Sequence, residues 1–499
     1  GKSNLTKTHS THYLEGLINE LRSLPEETGW VEFKENNSDP EDIGEYISAL
    51  SNSAALLGKA QGYLVWGIRN SDHAIVGTTF RPNKSRVGQE ELESWLLKLL
   101  TPKIQFRFYL VNIDGKDLVL LEIKEAYRHP VQFKGFEYIR VGSYKKKLKD
   151  FPEKERELWR IFDKTPFEAG VAAEHLSIDE LLRMLDYTSY FELSKQPLPR
   201  NHTGIVEALQ SESIIRANEA GSWSITNLGA VLFAKQLSDF GALGRKALRI
   251  ISYNGDSRIE TQREVSVGRG YAAAFETMVS QIVSLLPSKE VIEHSLRREV
   301  GTYPELAIRE LVANALIHQD FFLTGTGPMV EIFDHRIEVT NPGNPLVKTD
   351  RFLDSPPRSR NEALASLMRR LSICEERGSG VDKVVHLTEY YQLPAPLFEV
   401  VQEATRTTLF SQRPLTKMDK SDRVRACYLH ACLRYVNRDY LTNASLRERF
   451  KIEAKNSATA SRLINEALQA QVIIPFDESS SKKLMKYVPY WVAEDVQFL

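Results

Sequence analysis

The run Arg309-Glu310-Leu311-Val312-Ala313-Asn314-Ala315-Leu316-Ile317-His318-Gln319-Asp320 constrains this chain more than any other stretch. Glu310 and Asn314 are four residues apart, which on a helix places them on one face. Ile308, Leu311, Val312, Leu316 and Ile317 recur at helical spacing and would press such a helix onto a sheet. A carboxylate one turn from a carboxamide can set a general base beside a ligand for nucleotide-bound magnesium. The spacing alone also occurs on many solvated helices, so residues further along the chain decide its meaning.

Twenty-seven residues beyond Asn314 comes Asn341, where the alternating stretch Arg336 to Thr340 runs into Asn341-Pro342-Gly343. That pattern predicts a strand entering a tight turn. Next, Glu376-Arg377-Gly378-Ser379-Gly380 precedes a helical stretch starting at Val381. Glycines there let backbone amides approach phosphates at a helix N-terminus, where the dipole favours anions. The order of acid–amide helix, strand with Pro-Gly turn, and Gly-Ser-Gly before a helix resembles the Bergerat ATP-binding fold of gyrase, the heat-shock chaperone, histidine kinases and MutL. With Ala307 to Phe321 and Arg360-Asn361 added, residues 240–412 resemble the bacterial ATP-binding proteins labelled RecG-like helicase C-terminal or transcriptional regulator. The resemblance implies ATP and Mg2+ as cofactors. It makes Glu310 the catalytic base and Asn314 the magnesium ligand, with Asn341 and Gly343 under the adenine and Gly378, Ser379 and Gly380 near the phosphates. It also puts Phe321 to Gly327 at the flexible lid or an adjoining loop. The adenine-reading position usually holds Asp; Asn341 offers a carbonyl that can still accept from the adenine amino group.

At 499 residues, a length of about 150 per domain suggests three or four domains. The 65 basic and 66 acidic residues balance, so no global field announces a nucleic-acid binder. Cys374, Cys427 and Cys432 form no Cys-x-x-Cys, which argues against a disulfide framework or zinc site and fits a reducing cytoplasm. No apolar run reaches the roughly 18 residues of a membrane span, and no signal peptide is visible. The start at Gly1 without methionine reads as a processed end. The expected fold class is α/β multidomain, with boundaries at 1–160, 161–239, 240–414 and 415–499.

Residues 1–160 read as an α/β unit, with helices His12 to Leu21 and Ile43 to Leu57. Its strands are Trp30 to Lys34, Gly62 to Ile68, Leu118 to Ile123 and Tyr138 to Ser143. Lys145, Lys146, Lys147 and Lys149 come at once after these, either as a solvated edge that discourages sheet pairing or as contacts to nucleic-acid backbone. Glu27-x4-Glu32-Phe33-Lys34, the Gly62 to Ile68 strand, His73-x-Ile75-Val76-Gly77 and Tyr138-Ile139-Arg140-Val141-Gly142-Ser143 resemble the Alba-like domain of Schlafen proteins. Some eukaryotic Schlafens cleave tRNA with three acidic residues in this domain. The first two fall on Glu27 and Glu32, the implied metal ligands, whereas the third position reads Asn70, with Asp72 two residues along. Two carboxylates and an amide hold a hard cation less well than three carboxylates. The domain is therefore expected to bind nucleic acid, through Arg140, Lys145, Lys146 and Lys147, more than to cut it.

Residues 161–239 read as a helical connector with a small wing, open between a degenerate winged helix and a packing linker. Residues 415–499 give helix, helix, helix, strand, loop, strand, the order of a winged helix. With 14 Lys and Arg against 10 Asp and Glu this segment is basic; Arg447, Arg449 and Lys455 are its candidate contacts to nucleic acid. Protein docking is the other reading of such a module. Two functions stay open at this stage. One is an ATP-binding, DNA-associated regulator, a homo-oligomer whose nucleotide state rearranges its binding modules. The other is an ATP-gated Schlafen-like nuclease of phage defence. The chain lacks a Gly-x-x-x-x-Gly-Lys-Ser/Thr loop and with it a helicase motor.

Overall fold

Parallel strands need a crossover, and the first one in this chain sets up its amino-terminal unit. The computed structural model describes residues 9–25, 28–293, 296–301, 303–356, 358–374, 380–481 and 484–493. The chain divides into two compact units, residues 1–185 with 199–230, and residues 186–198 with 231–499.

In the first unit, α1 (Thr11–Arg22) precedes β1 (Val31–Lys34), which lies parallel to β2 (Gln61–Trp66). The crossover is α2 (Pro40–Leu56). Asp39 caps it by accepting from the Asp42 amide at 3.3 Å, and Pro40 sits in the first turn, where no amide is needed. Then β3 (Phe106–Ile113) and β4 (Lys116–Lys124) complete a sheet of order β1-β2-β4-β3. Strand alternation splits its side chains between two cores. Leu64, Trp66, Val119 and Leu121 pack with Ile43, Ile47 and Leu50 of α2, while Tyr63, Val65, Leu118 and Leu120 pack with Leu14, Leu17 and Ile18 of α1. A second sheet ends in β5 (Phe136–Val141) and the lysine-bearing edge strand β6 (Tyr144–Lys147). The expected helical connector contributes a third sheet, β7 (Val171–Leu176), β8 (Ile215–Ala217) and β9 (Trp223–Thr226), with β9 central and α3 (His202–Ser211) before β8.

The second unit holds a six-stranded sheet built from β10 (Leu248–Tyr253), β11 (Thr261–Val267), β12 (Met329–Ile332), β13 (Arg336–Pro342), β14 (Leu397–Val401) and β15 (Ala404–Phe410). The order is β11-β10-β12-β13-β15-β14, and the β10–β12 pair is parallel. The helices α4 (Tyr271–Leu285), α5 (Glu305–Ile317), α6 (Glu362–Arg370) and α7 (Val381–Tyr390) belong to the same unit. Buried Ile308, Leu311, Val312, Leu316 and Ile317 hold α5 in place against α4, α7 and β13. The chain continues through α8 (Lys420–Val436), α9 (Asn443–Phe450), α10 (Ser457–Gln469), β16 (Ile473–Pro475) and β17 (Tyr487–Pro489). These form the element order expected for residues 415–499; the polar Asn456, which the sequence offers as the cap of α10, makes no side-chain cap there. Among the described residues no helix is long and apolar enough to cross a membrane.

Candidate functional site

Glu310 and Asn314 sit one turn apart on α5, and both are largely withdrawn from water. The Nδ2 of Asn314 is buried and has no hydrogen-bond partner among the described residues. A donor left in that state costs about 1–3 kcal/mol, so the position suits a ligand that supplies an acceptor. Gly380 opens α7 in a left-handed conformation, φ +73°, and a Cβ placed there would lie 2.3 Å from Glu310 Oε2. Only glycine lets the helix end come this close to the carboxylate. Lys383, one turn into α7, places its Nζ 3.9 Å from Glu310 Oε1. Gly378 and Ser379, expected beside Gly380, lie outside the described residues.

The Asn-Pro-Gly turn closes the other end. Asn341 is buried at the end of β13, and its Nδ2 donates to the Pro342 carbonyl at 3.3 Å. Gly343 has φ +108°, and a Cβ there would meet Asp320 Cβ at 2.8 Å. The Asp320 amide donates to the Pro342 carbonyl at 2.8 Å, which ties the segment after α5 to the turn.

Three further side chains support this site. Buried Asn361 donates to the carbonyls of Ile317 and Gln319 at 2.7 and 2.8 Å, closing the end of α5. Arg360 binds the Asn344 carbonyl and lies 3.4 Å from Asp320. Lys246 is buried and donates to the carbonyls of Leu323 and Thr326, fixing the segment expected to be a flexible lid or an adjoining loop. Burial pushes the Lys246 ammonium down to about 8, with Asp320 opposing. Burial, then Arg360 and Arg369, holds His318 down to about 4, so it is neutral at pH 7. Arg360-Asn361 was visible as a motif; a lone Lys246 before an apolar strand carries little signal.

In the amino-terminal unit Glu32 does not stand open as a metal ligand. Arg140 Nη1 lies 2.7 Å from its carboxylate, with the two side chains only 2% and 12% exposed. Burial pushes the Glu32 carboxyl up, and Arg140 offsets only part of that. Asn70, Ser71 and Ser143 line the same cavity of about 240 Å³. Asp72 is engaged elsewhere, accepting from Arg69 at 3.0 Å and from the Ala74 amide at 3.1 Å. Glu27 lies outside the described residues. Among those described, no three His, Cys, Asp or Glu side chains gather as a metal site.

The expected nucleic-acid contacts separate by burial. Arg140 and Arg449 are corrected to interior cations: a buried guanidinium is stable only when paired, and both are. Arg449 donates to the Leu393 carbonyl at 2.7 Å and lies 3.9 Å from Glu389. Lys145 is turned onto Asp42 and Glu45. Arg447 donates to Asn443 at 2.9 Å, and exposed Lys455 pairs with Glu453 at 2.8 Å. Lys146 lies 5.6 Å over exposed Tyr144, and Lys147 lies 4.3 Å over exposed Phe136.

Comparison with known proteins finds matches to two parts of the chain. Residues 27–149 match the family described as "Schlafen, AlbA_2", and residues 325–409 match "Putative ATP-dependent DNA helicase recG C-terminal". Among solved structures, the DIP2311 protein from Corynebacterium diphtheriae is similar at 16% identity and TM-score 0.41, over 98% of this chain and 99% of that one. The N-terminal domain of the "Putative ATP-dependent DNA Helicase RecG-related Protein" from Nitrosomonas europaea is similar at 24% identity and TM-score 0.19, over 28% of this chain and 92% of that one. No curated protein matches.

Proposed function

For a chain that carries a Schlafen AlbA_2 domain and a RecG-type C-terminal ATPase domain, we propose a nucleotide-controlled, nucleic-acid-binding regulator of the transcription-regulator type. The two domains together indicate an ATP-binding, nucleic-acid-associated protein. The finer reading rests on the Glu310 carboxylate lying against Gly380 at the start of α7, with Asn314 one turn away on the same helix.

In this reading Asn314 contributes its carbonyl to magnesium, and Asn341 accepts from the adenine amino group. The first amides of α7, with Lys383, meet the phosphates. Bound magnesium-ATP supplies a polyphosphate chain whose terminal anhydride water can cleave. Glu310 holds the position from which a carboxylate takes a proton from such a water, so slow hydrolysis is expected. Asn361, Arg360 and Lys246 keep the surrounding segments in register, which is a positioning role.

Nucleic acid is met by Lys146 and Lys147 on β6, and by a carboxy-terminal winged helix in which α10 is the reading helix. DNA is favoured over RNA because that module suits a major groove. A homo-oligomer in the cytoplasm is the expected form. The test is fluorescence anisotropy of the full chain with labelled duplex and single-stranded oligonucleotides, at low and rising salt, with and without magnesium-ATP. Binding that weakens steeply with salt and changes with nucleotide is the expected result. Absence of binding to every oligonucleotide at low salt contradicts the proposal.

A further inference from the structure

We infer that α7 is the element through which nucleotide at the Glu310 site acts on the carboxy-terminal helices, and that Glu389 is its coupling residue. The inference rests on the nucleotide reading of that site and goes beyond it by naming how the site is connected.

One helix touches both places. At its start, Gly380 lies against the Glu310 carboxylate and Lys383 faces the same group. Ten residues of helix span about 15 Å. At its other end, the Glu389 carboxylate accepts from His430 Nδ1 of α8 at 2.6 Å, and Arg449 of α9 places its Nε 3.9 Å away. His430 Nε2 lies 3.0 Å from Ser445 Oγ. Ser445 in turn closes the capping box of α9 with Thr442. The side chains of His430, Glu389 and Arg449 are 6%, 14% and 2% exposed, so this network lies largely out of water.

The apolar face of α7 makes the same connection. Val381 and Val385 belong to one core with Ala426, Leu429 and Cys432 of α8 and with Trp491. Packed interiors deform by switching between arrangements, because close packing leaves no slack for gradual yielding. A displacement of α7 therefore carries α8 and α9 with it.

The drive is electrostatic. A phosphate at the start of α7 and the Glu310 carboxylate compete for the same helix end and for Lys383. Like charges cannot share that space at low cost, so the helix or the carboxylate shifts when nucleotide arrives. The buried Glu389 network then passes the shift to the cap of α9.

The test uses the full chain and hydrogen exchange of amides in α8 and α9, with calorimetry of magnesium-ATP run in parallel. In the unaltered protein, saturating magnesium-ATP should change exchange in these helices by at least about 5-fold, the low end of ordinary allosteric coupling. Glu389→Gln should abolish that change while magnesium-ATP affinity stays within about 3-fold. If Glu389→Gln itself loosens α8 and α9, seen as fast exchange without nucleotide, Glu389→Asp replaces it. That variant keeps the charge and draws the carboxylate back from His430. Magnesium-ATP that binds without altering exchange in α8 and α9 overturns the inference and leaves the nucleotide site standing. Coupling that persists in the variants also overturns it. Absence of magnesium-ATP binding in the unaltered protein overturns both.

Discussion

Replacing Arg140 with methionine should cost the amino-terminal unit stability out of proportion to any loss of nucleic-acid binding. Arg140 is 2% exposed in its side chain and holds Glu32 at 2.7 Å, so its removal strands a carboxylate that is itself only 12% exposed. Breaking one side of a buried pair costs about 3–5 kcal/mol. For a unit of roughly two hundred residues each kcal/mol moves the melting temperature by about 2–4 °C, so a fall of roughly 6–20 °C is expected. Replacing both partners removes the stranded charge, and Glu32→Gln with Arg140→Met should recover most of the loss. Burial already raises the Glu32 carboxyl pKa. Protonation relieves the stranded charge, so the single variant should regain stability relative to the parent as pH falls towards 5. Differential scanning calorimetry of the full chain measures each of these. A shift under about 2 °C for Arg140→Met, or a double variant no better than the single one, would refute the argument that Arg140 serves the interior.

The same geometry yields three more expectations. Replacing Lys146 and Lys147 by Gln should flatten the log–log salt dependence of duplex binding by about 0.9 per lost phosphate contact; Lys145→Gln should change it less, because Asp42 and Glu45 already occupy that ammonium. His175 is a pH-dependent brace. Burial alone would lower its pKa, but the Glu174 carboxylate 3.4 Å from Nε2 and the hydrogen bond to Glu20 raise it from 6.5 to about 9. Its contribution is therefore complete below pH 6.5 and fades as pH rises through about 9. Calorimetric melts of the parent should lose stability over that window, and His175→Gln should make the curve flatter; an unchanged curve counts against the brace. Glu310→Ala should retain magnesium-ATP binding and lower any hydrolysis by about 10²–10⁴-fold in a phosphate-release assay.

How much of this was legible depended on whether a residue's partner was local. Glu310 and Asn314 could be placed from the chain alone because helix periodicity puts them together and the apolar remainder fixes which side is buried. The Asn341-Pro342-Gly343 turn was legible for a similar reason, since Gly343 must take φ +108° beside Asp320. Arg140 and Arg449 were not. Each stands among lysines and arginines in sequence, and only the distant Glu32 and Glu389 reveal that it points inward. The three-stranded sheet of the connector was not legible for a related reason. Its strands Val171–Leu176 and Ile215–Ala217 are short, and their pairing to Trp223–Thr226 is a tertiary event. Lys246 gives no local sign of its role, because the carbonyls it binds come from about eighty residues further along the chain.

We propose that α5 and the start of α7 form a magnesium-nucleotide site. Isothermal titration calorimetry of magnesium-ATP against the full chain and Asn314→Ala tests it most directly. The parent should show saturable one-site binding. In Asn314→Ala binding should weaken by roughly tenfold or more, as expected when a charge-assisted contact worth about 1.5–3 kcal/mol is lost. Equal affinity in the two proteins, or no binding to either, would contradict it.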